Sequence, residues 1–380
     1  MKNLHMQNIL VPIDFSEMSI RSIPTAKHLA RRFGSVVHLV SLHEFYYPAG
    51  FFAPAAPVQL APVTYLEATR GVAGQRLRAL AREHGLTGTC QAEIGGPVFD
   101  EICRIARQIP ADLMVTATHG HTGLKHVLLG STAERLVQHS PCPVWVDREK
   151  QSKTARPAEA GSSGIDTILV PVDFSDCSLA GLEYAIQFAD RVAAKIVLLH
   201  VVDFGPVLTA DGYAMYDLTK YRDMARADAK RQMTQFVRAA KFGGVKFKAE
   251  IVVASSVTGI CEIAEREKAD LIITATHGRT GFKHVLIGST AEVVVRHAPC
   301  PVLVVPSHPE VRMAHLMDQP ATAEAAEKRP GPRSGRAPFG SEAGKRSFRK
   351  VAGQLFPERR QTNKFRESHI ASVRSGAPPT

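Results

Sequence analysis

The chain has 380 residues, of which 44% are hydrophobic and 22% charged, a balance that excludes a disordered polymer and fits soluble globular protein. No run of 18 or more uncharged apolar residues occurs, so no membrane-spanning helix is expected. The formal charge is +11, but His308–Thr380 holds 14 Lys/Arg against 7 Asp/Glu; the basic excess sits mostly in this tail, and the rest of the chain offers no case for specific nucleic-acid binding.

The opening segment MKNLHMQNILVPIDF enters a strand-like pattern at once and shows no charged-then-apolar leader, so a cytoplasmic protein is expected. Ile9–Ile13 reads as a buried strand, Ile20–Arg32 as a helix and Val36–Leu42 as a strand. Tyr65–His84 reads as a helix, Thr89–Ile94 as a strand, and Val98–Ile109 as a helix stopped by Pro110. Leu113–Thr118 (strand), Thr132–His139 (helix) and Pro143–Val146 (strand) complete the series.

The same series then repeats. NILVPIDFS (Asn8–Ser16) returns as TILVPVDFS (Thr167–Ser175), 159 positions later. THGHTGLKHVLLGSTAE (Thr118–Glu134) returns as THGRTGFKHVLIGSTAE (Thr276–Glu292) with 14 of 17 positions identical. Spacing kept over so long a period means that a whole unit was duplicated, and each copy is expected to be a domain with its own core. Alternating β and α elements with continuously apolar strands predict an α/β fold: two tandem open parallel-sheet domains of Rossmann-like type, with helices on both faces. The expected domains are 1–148 and 166–307, joined by a Gly/Ser/Ala-rich linker at 149–165 and followed by a basic disordered tail at 308–380.

In each copy two loops at strand carboxyl ends carry unusual residues, where open parallel sheets bind their ligands. The first is Pro12-Ile13-Asp14-Phe15-Ser16, matched by Pro171-Val172-Asp173-Phe174-Ser175. Its Asp suits a hydrogen bond to a base amino group or a ribose hydroxyl, or a metal; the plainer reading is that Asp14 or Ser16 merely caps the next helix. The second runs from Ala117 through Gly120 and Gly123 to Gly130-Ser131-Thr132, matched by Ala275, Gly278 and Gly288-Ser289-Thr290. Glycines let backbone approach closely, and N–H groups at a helix start suit phosphate. Ser131 to Glu134, and Ser289 to Glu292, also fit a capping box. His119 and His277 read as loop-holding polar residues because no partnered nucleophile accompanies them. Lys125 and Lys283 either neutralise phosphate or face solvent, and the absence of GxxxxGK[ST] excludes a Walker-type NTPase.

Both halves resemble the universal stress protein family over nearly all of Asn8–Val146 and Thr167–Pro306. The ATP-binding members of that family carry G-x2-G-x9-G-[ST], which here reads Ala117-x2-Gly120-x9-Gly130-Ser131 and Ala275-x2-Gly278-x9-Gly288-Ser289. The resemblance implies an adenine nucleotide alpha hydrolase-like fold. It also implies ATP contacts by Pro12, Ile13 and Asp14, with Pro171, Val172 and Asp173 in the second copy. Leu42 and Val201 would offer backbone to the adenine, and Gly130, Ser131 and Thr132, with Gly288, Ser289 and Thr290, would hold phosphate. Magnesium or manganese would be held mainly by the phosphates. Alanine at 117 and 275 departs from the motif's first glycine. That is costly if the position needs a positive φ and mild if the backbone is extended, as expected at a strand end.

The function implied is an ATP-binding stress-response or regulatory module that binds rather than catalyses. The alternatives are a nucleotide-free interaction protein of the same fold or a slow ATPase. Glu44–Pro62 is an apolar, proline-broken excursion with five aromatics, either a lid, a contact surface or a loop packed on its own domain; Phe204–Leu218 is its less aromatic counterpart, so access to the two sites would differ. The last strand of each copy lies at a sheet edge, and edge strands can pair; the resemblance implies that this strand mediates dimers, formed here within the chain or with a second copy, and Trp145 is expected to pack there. The six cysteines lack metal-ligand spacing and read as small buried hydrophobes.

Overall fold

The computed structural model describes residues 4–44, 63–118, 129–148, 164–203, 218–276 and 288–306. The first copy comprises β1 (Asn8–Pro12), α1 (Glu17–Phe33), β2 (Val36–Glu44), α2 (Val63–His84), β3 (Cys90–Gly95), α3 (Val98–Gln108), β4 (Leu113–Ala117), α4 (Ser131–His139) and β5 (Val144–Asp147). The second repeats it as β6 (Thr167–Pro171), α5 (Asp176–Val192), β7 (Lys195–Val202), α6 (Leu218–Ala239), β8 (Phe247–Val253), α7 (Ser256–Arg266), β9 (Leu271–Ala275), α8 (Ser289–His297) and β10 (Val302–Val305). All nine elements expected in each copy are present. Most of the linker, the tail and most of both excursions lie outside the described residues.

Within each copy the strands are parallel, as continuous apolar runs buried on both faces require. The helices divide between the faces. Apolar side chains of α1, α2, α5 and α6, such as Ile23, Leu77, Leu182 and Met233, join one cluster. Those of α3, α4, α7 and α8, such as Ile102, Leu136, Ile260 and Val294, join the other.

The two parallel halves are joined through their last strands, the within-chain alternative of the pairing expected for them. A single ten-stranded sheet runs in the order β3-β2-β1-β4-β5-β10-β9-β6-β7-β8. Among the described residues its one antiparallel pairing joins the copies, with Val302 opposite Val146, Leu303 opposite Trp145 and Val304 opposite Val144. Pairing β5 with β10 satisfies the backbone groups that each copy would otherwise present as an edge. It also means that each apolar cluster draws side chains from both copies rather than one. Trp145 is buried, 6.4 Å from Phe188 of α5, which in turn lies 5.3 Å from Phe33 of α1. Because the join is antiparallel, the carboxyl ends of the two parallel halves open at opposite rims of the sheet.

Matching side chains tie each copy together. Asp112 Oδ2 accepts from the backbone N–H groups of Gln7 and Asn8 at 2.7 and 3.0 Å. Asp270 Oδ2 does the same for Asp166 and Thr167 at 2.8 and 2.9 Å. The cysteines are unpaired, with Cys103, Cys142 and Cys300 buried. Burial pushes the Cys103 thiol up to about 11 and that of Cys142 to about 12, which keeps them protonated and chemically quiet.

Candidate functional site

In the order β3-β2-β1-β4-β5 the chain leaves β1 toward β2 and later returns to β4 on the other side of β1. The crevice beyond the carboxyl ends of β1 and β4 is therefore the switch point where an open α/β sheet binds a ligand. In the second copy it lies beyond β6 and β9. Both loops singled out by the repeat end there.

The loop after β1 first prolongs the sheet, Ile13 N–H donating to Val40 O at 2.7 Å, with Val172 to Leu199 O at 2.8 Å in the second copy. Phe15 and Phe174 then adopt φ of 62° and 64°, a left-handed conformation that costs a bulky L-residue about 1–2 kcal/mol. Nothing in the residue types signals it. The reversed backbone lets Asp14 Oδ1 accept from Ser16 N–H at 2.9 Å and from its hydroxyl at 2.6 Å. Asp173 and Ser175 repeat this at 3.1 and 2.6 Å. Ser16 Oγ in turn accepts from Ser19 N–H at 3.2 Å and caps α1. The capping role is thus present, with the serine as cap and the aspartate as its support.

The second loop returns to the sheet at Leu129 and Gly130. Gly130 N–H donates to Thr118 O at 2.7 Å, and Gly288 N–H to Thr276 O at 2.6 Å, pinning the starts of α4 and α8 against the ends of β4 and β9. The expected capping box does not form. Ser131 and Ser289 are the first helical residues, the cap positions are Gly130 and Gly288, and no side-chain cap bond is made. Glycine has no side-chain oxygen to offer, so the first-turn N–H groups at the switch point keep their donor capacity. Gly130 has φ −59° and ψ 142°, which any residue adopts; its glycine is not required by backbone geometry.

Ala117 and Ala275 are the last residues of β4 and β9, with no positive φ. A Cβ built on Gly181 of α5 would lie 3.3 Å from the Ala275 Cβ, so this methyl faces α5. By the two-residue alternation of a strand it shares the face of Leu271 and Ile273, opposite that of α8. Val201 likewise has its side chain against α7, where a Cβ on Gly259 would meet it at 3.1 Å; Leu42 and Val201 both pack on the α7-type face.

The copies differ in detail. His200 Nδ1–H donates to Val172 O at 2.8 Å, and its ring stacks on Phe174 at 4.2 Å. The first copy has Ser41 there, its buried hydroxyl without a hydrogen-bond partner among the described residues, while Arg76 lies over the Phe15 ring at 4.0 Å. Asp147 stands beside Ala117 in register and accepts from Thr25 Oγ1 at 2.6 Å, whereas Val305 stands beside Ala275. Gly120, Gly123 and Gly278, His119, His277, Lys125 and Lys283 lie outside the described residues. Among the described residues no group of three His, Cys, Asp or Glu is placed to hold a metal, and no helix is long and apolar enough to cross a membrane.

The family model of the universal stress proteins matches the chain twice, at residues 5–148 and 164–306. The chain belongs to the universal stress protein family. A universal stress protein of Methanocaldococcus jannaschii is 34% identical over 138 residues, which are 36% of this chain and 80% of that protein. A second from the same organism is 32% identical over 150 residues, 36% of this chain and 93% of its own. Among solved structures, a universal stress protein of Archaeoglobus fulgidus superposes with a TM-score of 0.53 at 19% identity, covering 80% of this chain and 98% of its own. A Pseudomonas aeruginosa protein of unknown function gives 0.54 at 18%, with 82% and 96% covered. These two likenesses concern the fold, and they extend over both copies of this tandem universal stress protein.

Proposed function

We propose that this universal stress protein binds ATP at both switch points and acts as a nucleotide-dependent stress-response or regulatory module, by binding rather than catalysis. The observation that supports this most is the pairing, present in both copies, of an uncapped helix start pinned to a strand end with a strained aspartate loop. Gly130-Ser131-Thr132 and Gly288-Ser289-Thr290 supply N–H groups and hydroxyls suited to phosphate. Pro12-Ile13-Asp14 and Pro171-Val172-Asp173 line the other side of the crevice, with Leu42 and Val201 at the neighbouring strand for the base. Ala117 and Ala275 fit this reading because the Ala275 methyl packs toward α5 and not toward α8. In this reading magnesium or manganese is carried by the phosphates, and Gly120 and Gly278 complete the loops.

Equilibrium titration of the whole chain with ATP in the presence of magnesium tests it. Saturable binding is expected, reduced to one site when Gly130 or Gly288 alone is replaced by valine and abolished when both are. Backbone geometry at Gly130 tolerates any residue, so a loss there reports obstructed approach. No saturable binding by the wild-type chain refutes the reading in favour of a nucleotide-free interaction protein. Phosphate release above that of the doubly substituted control would make it a slow ATPase.

A further inference from the structure

The antiparallel join brings α4 and α8 together, and a single guanidinium is shared between their first turns. Arg296, in the last turn of α8, reaches Glu134 Oε2 of the other copy at 3.2 Å and Glu292 Oε1 of its own helix at 2.7 Å, both through Nη2. The three side chains are each between 26% and 30% exposed, so solvent screens them less than a surface pair. Arg148, at the end of β5, fastens the same corner by donating to the carbonyl oxygens of Arg296 and Ala298 at the carboxyl end of α8.

The charges are not symmetric. By the spacing of the repeat, Gln138 is the counterpart of Arg296 and Pro306 that of Arg148. One cation therefore serves two carboxylates, and each of those sits in the first turn of a helix that starts at a switch point. A first-turn glutamate stabilises its helix through the positive end of the dipole, but it competes for that same partial charge with any anion arriving there.

We propose that Arg296 is an affinity-determining residue for both phosphate positions, contributed by the second copy to the site of the first: it offsets Glu134 and Glu292 and leaves the helix starts electropositive. This role rests on the nucleotide reading above. Removing the cation exposes two carboxylates to the incoming phosphates; removing the carboxylates as well makes the cation unnecessary.

Calorimetric titration of the full chain with magnesium ATP at fixed low ionic strength tests this in four proteins. Relative to wild type, Arg296→Gln should weaken binding about two- to fivefold, and Arg296→Lys, which keeps the charge, should retain it. The triple variant Arg296→Gln with Glu134→Gln and Glu292→Gln should return to within about twofold of wild type. Far-UV circular dichroism melts establish that each variant is folded. Unchanged affinity in Arg296→Gln overturns the proposal, as does a triple variant no better than the single one, which would mean that the arginine acts only by holding the helices together. Absence of saturable binding in the wild type itself refutes the nucleotide reading, and this role with it; the two failures are told apart by which protein shows them.

Discussion

Trp145 and Leu303 stand opposite one another where β5 and β10 run antiparallel, at the centre of the ten-stranded sheet. A strand of four residues in each copy, which would be an edge of its own copy's sheet, becomes interior to a sheet whose edges are β3 and β8. The pairing merges the two apolar cores and sets the two crevices at opposite rims.

Trp145→Ala should therefore behave as a core substitution. Its indole is 3% exposed and packs with Phe188, so truncation is expected to cost about 3–5 kcal/mol in denaturant unfolding followed by circular dichroism. A cost below about 1 kcal/mol would show that the seam is not packed in solution.

The Asp14–Ser16 pair separates structural from ligand roles. Ser16→Ala removes the α1 cap and should cost about 1 kcal/mol, read from chemical unfolding. Asp14→Asn keeps an oxygen to accept from Ser16, so stability should change by less than about 1 kcal/mol. ATP affinity, if Asp14 meets the nucleotide as a charged acceptor, should nonetheless fall about tenfold or more. Equal affinity in the two proteins would assign Asp14 to the turn alone.

Restoring glycine at the departed motif positions should not improve binding. Ala117→Gly and Ala275→Gly are expected to leave ATP affinity within about twofold and to lower stability by about 0.5–1 kcal/mol through the entropy of a strand glycine. Binding strengthened tenfold or more would place the methyls in the path of the ligand.

His38 supplies a pH dependence outside the site. Its Nδ1 receives the N–H of Thr89 at 3.2 Å and its Nε2 faces Asn8 Oδ1 at 3.1 Å, an arrangement for the neutral ring. Burial holds its pKa below the ordinary 6.5. The unfolded chain therefore takes up the proton first as pH falls, so the stability His38 contributes is present above about 6.5 and is lost as pH drops toward the folded value. Melting temperatures at pH 7.5 and 5.5 should differ less in His38→Gln than in wild type; equal differences would remove His38 as the cause.

Much of this was legible in the residues. Apolar runs such as Ile9–Val11 and Leu113–Val115 identify buried strands because burial on both faces demands them, and the duplicated Asp14 and Gly130 loops identify the switch points. The capping box misled because Ser131 and Glu134 have the right spacing for it, yet Gly130 occupies the cap once its N–H is drawn to Thr118 O. That bond joins backbone groups twelve positions apart, and local spacing carries no record of it.

Strand content, helix content, the duplication and the position of the crevices follow from the sequence by itself, since periodicity and turn chemistry act between near neighbours. The left-handed Phe15, the direction of the Ala275 methyl, the single sheet through Trp145 and Leu303, and the arginine shared by Glu134 and Glu292 were decided only by tertiary structure. The last three depend on a partner brought close by packing, in the final two cases from more than 150 residues away, and on which of several compatible neighbours buries the most apolar surface with its polar groups paired.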